Sequence, residues 1–199
     1  MSPVRRRRPV IVTVAGGLFA LLTVACGSLP FTPTPSAPTP PTPTSIEPSP
    51  ARPAAVPPPA VAPPAPQPVA EGPCRYLPVA AVQAANGQRV AAVRVSETGP
   101  DRPHPACFFL ATNGTVALRT WIVVATPEVA RATVDAAAPV ATSDLAELPG
   151  GWSGGSQPTA DGAVFAVSRH GTAVVVTTNQ RQTISARRIA EQVIAALGL

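Results

Sequence analysis

The chain has 199 residues, with 15 arginines, no lysine, 10 acidic residues and 2 histidines, for a formal net charge of +5. Four of those arginines are Arg5 to Arg8, and residues 74–199 carry ten arginines against eight acidic residues, so the C-terminal part is near +2. That balance is too weak and too dispersed for a nucleic-acid footprint, and the scarcity of histidine limits acid–base chemistry near neutral pH.

At the N-terminus, Arg5 to Arg8 precede an uncharged, mainly apolar run from Val10 to Val24, followed by Ala25 and Cys26. A basic segment, an apolar segment of this length and a small residue directly before cysteine predict a lipoprotein signal peptide over residues 1–25. Cys26 is then the first mature residue, carrying diacylglycerol and palmitate, and it is the expected contact with the membrane. The rival is a retained transmembrane helix over residues 10–24, but about 15 residues rise only roughly 22 Å against the roughly 30 Å hydrocarbon core. The arginine run also suits twin-arginine export, although no Phe-Leu-Lys follows it. Either export route places the protein on the outer face of the cytoplasmic membrane, extending into the cell wall.

Residues 26–73 are expected to be a lipidated, disordered, proline-rich linker, with 17 prolines among residues 30–68. Proline fixes φ and removes backbone donors, so such a segment favours polyproline II and spaces the domain from the bilayer by up to roughly 140 Å. The threonines Thr32, Thr34, Thr39, Thr42 and Thr44 beside prolines give it the composition of an O-glycosylated stalk.

Residues 74–199 suit a single domain. Pro78 to Ala85 is alanine-rich and ends at Asn86-Gly87, predicting a short helix. Arg89 to Ser96 is β-prone. Cys107 to Ala111 and Thr115 to Ala125 flank Asn113-Gly114 and predict a hairpin. Thr126 caps a helix with Pro127 in its first turn, running to about Ala138. An irregular stretch follows, in which Asp144 and Glu147 fit one capped turn. Ala163 to Ser168 and Thr172 to Thr178 flank His170-Gly171 as a second hairpin. Ile189, Val193 and Leu197 then recur at helical spacing after Ser185, a plausible cap, with Gly198 closing the helix. The expected fold is α+β, one mainly antiparallel sheet of about five strands with two or three helices packed on it.

Three cysteines in an exported chain leave one over; lipidation consumes Cys26, and Cys74 and Cys107 remain to form a disulfide. Closing that loop stabilises the fold by about 3 to 4 kcal/mol on the chain-entropy estimate. A metal site is disfavoured because neither cysteine has a CxxC or histidine partner at useful spacing.

The segments Cys74-Arg75-Tyr76-Leu77, Ala85-Asn86-Gly87-Gln88, Pro105-Ala106-Cys107-Phe108, Ala137-Ala138-Pro139, Gly151-Trp152-Ser153-Gly154-Gly155 and Thr177-Thr178-Asn179-Gln180 together resemble a family of actinobacterial secreted lipoproteins known as a domain of unknown function. The resemblance spans nearly all of residues 74–199 and implies the same signal and linker arrangement, with no activity, ligand or catalytic residue attached. The order of elements is also similar to PsbP-like lipoprotein folds.

The string Gly151-Trp152-Ser153-Gly154-Gly155 fits the G-x-S-x-G of serine hydrolases, and Asp161 and His170 follow in hydrolase order. A nucleophile elbow needs a strand before the serine and a helix after it, whereas Leu148-Pro149-Gly150 and Gly154-Gly155-Ser156-Gln157-Pro158 both read as loop. His104, between two prolines, and His170, in a turn, read as solvated. Asn113-Gly114-Thr115 matches a glycosylation sequon but reads as the hairpin turn. Arg181, Arg187 and Arg188 could touch an anionic polymer, though a solvated helix face explains them, and Trp121 reads as core.

The stretch 149–161, with four glycines and one tryptophan, is the expected binding loop, with Trp152 and Ser153 as candidate ligand-binding residues. An exposed Trp152 would stack on a sugar or anchor a partner; folded inward it would pin the loop to the core. No catalytic residue, metal or cofactor is expected. The leading expectation is a lipid-anchored envelope lipoprotein with a non-enzymatic domain that binds a cell-wall polymer, a lipid or an exported protein. Its rivals are a small serine hydrolase using Ser153 and an accessory that presents the domain to a membrane complex.

Overall fold

The computed structural model describes residues 58–100 and 102–199. The expected signal peptide, Cys26 and the linker as far as residue 57 lie outside the described residues. Eight strands form one antiparallel sheet: β1 (Ala70–Glu71), β2 (Val90–Val95), β3 (Cys107–Ala111), β4 (Val116–Val124), β5 (Asp144–Leu148), β6 (Trp152–Thr159), β7 (Gly162–Arg169) and β8 (Thr172–Thr178). Their order is β1-β2-β3-β4-β8-β7-β6-β5. Three helices complete the fold: α1 (Val79–Asn86), α2 (Pro127–Ala137) and α3 (Thr183–Leu197).

The α+β class and the antiparallel sheet are as expected, but the sheet has eight strands rather than about five. The additional three are β1, inside the stretch read as linker, and β5 and β6, inside the stretch read as irregular. Asp144 and Glu147 therefore lie on a strand, not in a capped turn. Ser185 does not cap α3 either. It sits within the helix and donates to the Ala85 carbonyl at 2.7 Å, tying α3 to α1.

Alternation along the strands sorts the side chains onto two faces. Phe109, Leu118, Ile122, Phe165, Val167, Val174 and Val176 meet Val82 of α1 and Ile189 and Val193 of α3 in one core. Phe108, Trp121, Val164, Ala166 and Val175 meet Ala130 and Val134 of α2 in the other. The helix α2 starts as its sequence dictates: Thr126 Oγ1 accepts from the Val129 backbone N–H at 3.4 Å, and Pro127 occupies the first turn. A disulfide joins Cys74, just before α1, to Cys107 at the start of β3, and Cys107 is fully buried.

The two glycines after Ser153 let α2 approach the sheet closely. A Cβ on Gly154 would run into the Ala166 carbonyl oxygen of β7 and stand 2.9 Å from Val134 Cγ1, and one on Gly155 would stand 3.0 Å from the Ala138 carbonyl oxygen and 3.1 Å from Ala138 Cβ, besides running into Ser143 Oγ. Gly155→Ala is therefore expected to cost about 1 to 3 kcal/mol through overpacking. Urea unfolding of the variant with an unchanged m-value checks this, and a midpoint equal to wild type would contradict it.

Candidate functional site

Trp152 begins β6 and points into the core, 2% exposed. The Arg169 guanidinium lies 5.1 Å from its ring centroid, and Arg169 Nη1 donates to the Gly150 carbonyl at 3.3 Å. The expectation of Trp152 as a ligand-stacking residue is thus corrected: the ring is consumed by packing beneath β5 and by Arg169. The segment 149–161 is also no loop. Gly150 and Gly151, at φ 87° and 84°, make the turn between β5 and β6, and the chain then runs on as strand to Thr159.

Ser153 is exposed on β6 and pairs with Ser168 of β7, so both hydroxyls share a face. That face holds a cavity of about 500 Å³ lined by Ser153, Ser168, His170, Arg131, Asp135 and Leu145, among others. Among the described residues no hydrogen bond joins Ser153, His170 and Asp135. Asp161 belongs to a different depression, at the β6–β7 turn. Asp161 and His170 lie beyond opposite ends of β7, a strand of eight residues, and are roughly 25 Å apart at the usual strand rise. The chain order Ser153, Asp161, His170 is therefore not assembled into one site. His170 itself takes φ 52° in the β7–β8 turn.

A cavity of about 730 Å³ opens beside Gly72, Pro73 and Arg75, where the proline-rich segment joins the sheet. Its other walls come from Tyr76, Val95, Ser96, Thr98, Pro103 to Pro105 and the end of α3 at Ala196 and Leu197. Sequence reasoning left this cleft unseen because its walls come from four separated segments. Tyr76 is its fixed point. The phenol donates to the Pro105 carbonyl at 2.8 Å, is 2.8 Å from Thr120 Oγ1, and its ring meets His104 edge-on at 6.3 Å between centroids. Tyr76 has one proton to give, so Thr120 is the donor in the second bond.

A neutral amide network holds the opposite end of the sheet. Asn86, at the end of α1, donates to the Ala117 carbonyl at 3.3 Å and to Asn179 Oδ1 at 3.1 Å and accepts from Thr178 Oγ1, while Asn179 Nδ2 donates to Gln88 Oε1 at 2.9 Å. The amides bond to one another and to the backbone, which leaves them a structural role. Among the described residues no group of three or more His, Cys, Asp or Glu side chains could hold a metal, and no helix is long and apolar enough to cross a membrane.

The described residues thus form an α+β unit of one eight-stranded antiparallel sheet whose surface carries several clefts. The chain belongs to the family described as Domain of unknown function (DUF2020), which matches residues 57–199. No curated protein matches the chain.

Burial pushes the Tyr76 phenol well above the ordinary tyrosine value, with the Thr120 hydroxyl acting in the opposite sense. Above pH about 10 an unfolded tyrosine ionises while folded Tyr76 keeps its proton, so the unfolded state binds fewer protons and stability falls as pH rises. Tyr76 is the single tyrosine, which makes its phenolate absorbance an unmixed reporter. The folded protein is expected to show no phenolate until pH exceeds about 10 by a clear margin. Tyr76→Phe is expected to flatten the alkaline fall in stability, and an equal slope in both proteins would refute the assignment.

Proposed function

We propose that this protein is a cell-envelope lipoprotein of the actinobacterial secreted type, lipid-anchored through Cys26, whose globular domain binds an envelope component without catalysing a reaction. The observation that carries the binding reading is the cleft of about 730 Å³ beside Gly72 and Pro73, within the size range of small-ligand sites. Its walls mix the apolar Val95, Pro103 and Leu197 with the polar Arg75, Ser96, Thr98 and His104. The Arg5 to Arg8 run, the apolar segment after it and the Ala25-Cys26 junction support the anchor. The occupant is a cell-wall polymer, a lipid or an exported protein, met on the outer face of the cytoplasmic membrane.

Two substitutions in the full chain test this reading. Cys26→Ser is expected to abolish incorporation of labelled palmitate and to move the protein from the membrane to the soluble fraction of its host; retention of both label and membrane would overturn the anchor. Ala196→Trp, on the exposed rim of the cleft, is expected to weaken binding to envelope fractions that wild type retains, with unchanged thermal stability. Equal binding by the variant would remove the cleft from consideration.

A serine-hydrolase reading is favoured by one observation, the shared cavity of Ser153 and His170. Against it stand the missing serine–histidine hydrogen bond and the distant Asp161. Ser153→Ala is expected to leave the background rate on short-chain esters unchanged. A tenfold or greater loss would establish the hydrolase, since removing a true nucleophile costs far more than that.

A further inference from the structure

The helix α2 packs on β4 and on β6 to β8, and no comparable helix contact reaches β2 or β3 on that face. The register there places one cross-strand row: Arg94 of β2 opposite Phe108 of β3, and Phe108 opposite Arg119 of β4. Directly opposed residues share a face, so the two arginines flank one phenyl ring with their Cα atoms roughly 10 Å apart. Phe108 is only 4% exposed. The Nε atoms of Arg94 and Arg119 are both buried and have no hydrogen-bond partner among the described residues. Neither guanidinium has a carboxylate within ion-pair distance there, the single described pair being Arg187 with Glu191. Burial also lowers the pKa of Arg119, the sign of a cation held in a poorly solvated place without its counter-charge.

Arg119 and Phe108 line a depression of about 270 Å³ together with Thr177, so the Arg119 end of the row opens to solvent beside a neutral hydroxyl. Two carboxylates border the row, Glu71 opposite Arg94 and Asp161 on the rim of the depression. We propose that Arg94 and Arg119 form an oxyanion site over Phe108 that takes the phosphate or carboxylate group of a ligand. A planar guanidinium fork matches either group through paired N–H donors, and an ion bridging the two arginines supplies the acceptor that both Nε atoms lack. Thr177 contributes a hydroxyl on the same face, next to Arg119 on β8. The site is separate from the cleft beside Pro73 and does not depend on that reading.

The test uses the full chain in non-ionic detergent at low ionic strength, titrated with inorganic phosphate, with acetate and with chloride as control. Saturable phosphate or acetate binding by calorimetry is expected, and whichever binds more tightly identifies the group. Arg94→Gln and Arg119→Gln are each expected to weaken binding about tenfold, the loss of one charge-assisted contact. Asp161→Asn is expected to tighten it by removing a repelling charge. Should either arginine variant unfold, labelling wild type with ¹⁵N-arginine keeps the question open to decision, because the Nε–H resonances of Arg94 and Arg119 must move on titration. Absence of saturable binding, or binding that shifts only Arg187 and Arg188, overturns the proposal. A destabilised Asp161→Asn with no anion binding overturns it too, because the arginine would then be answering its own chain's carboxylate.

Discussion

Seven residue pairs, from Leu118 with Thr178 to Val124 with Thr172, join two four-stranded meanders that would otherwise each end in an open edge. Within each meander neighbours in sequence are neighbours in space, but β4 and β8 are brought together across more than forty residues of intervening chain. Loop-closure entropy opposes that pairing, and only the burial it produces can offset the cost. Along the seam Trp121, Val123 and Val175 turn to one face while Ile122, Val174 and Val176 turn to the other, so a single ladder builds both cores at once. Each such side chain contributes roughly 1.5 to 3 kcal/mol when fully buried. The helices follow from the seam, since α2 is the crossover between the meanders and α3 covers the face that β8 leaves open.

The seam explains where the polar groups are spent. At one end Asn86 bridges the Ala117 carbonyl of β4 to Thr178 and Asn179 at the end of β8, so α1 is fixed to the first and last strands of the seam. At the first meander's other end, Tyr76 reaches Thr120 of β4 and the Pro105 carbonyl, and the Cys74–Cys107 disulfide closes the same corner. These bonds are made between groups out of water, where an unmade bond costs about 1 to 3 kcal/mol. They specify register: a slip of one residue would turn Thr120 to the α2 face and leave the Tyr76 hydroxyl without it.

Elements with a strong local signature were legible in the sequence. Thr126-Pro127 marks α2, Asn86-Gly87 ends α1 with Gly87 at φ 66°, and His170-Gly171 marks the turn between β7 and β8. The strands β5 and β6 carry the opposite local signature. Asp-Leu-Ala-Glu-Leu suits a helix as readily as a strand, and Trp-Ser-Gly-Gly-Ser-Gln-Pro-Thr has few β-formers and two glycines. They are strands because β7 offers an edge to pair with, and the two glycines stand where the Ala166 carbonyl of β7, Ser143 and the end of α2 leave no room for a side chain. The candidate site was less legible than the fold: Ser153 and His170 do share a cavity, but Trp152 is core and Asp161 lies at the wrong end of β7. The cleft beside Pro73 and the row of Arg94, Phe108 and Arg119 depend on register across separated strands, which no local pattern carries.

The same physics redraws the border between tether and domain. The Val69 backbone N–H bonds to the Val95 carbonyl at 3.0 Å and that of Gly72 to Val93 at 3.1 Å, so the sheet begins before Cys74. Pro66 is buried between exposed Ala65 and Gln67, and Pro63 three residues earlier is half-buried, the spacing of one face of a polyproline helix. The family match likewise starts at residue 57. Proline suits such a contact because its φ is fixed before docking, so little backbone entropy is lost when one face is laid down. Residues 58–73 of the proline-rich segment therefore belong to the folded unit, and Gly72 and Pro73 near their end build the mouth of the cleft.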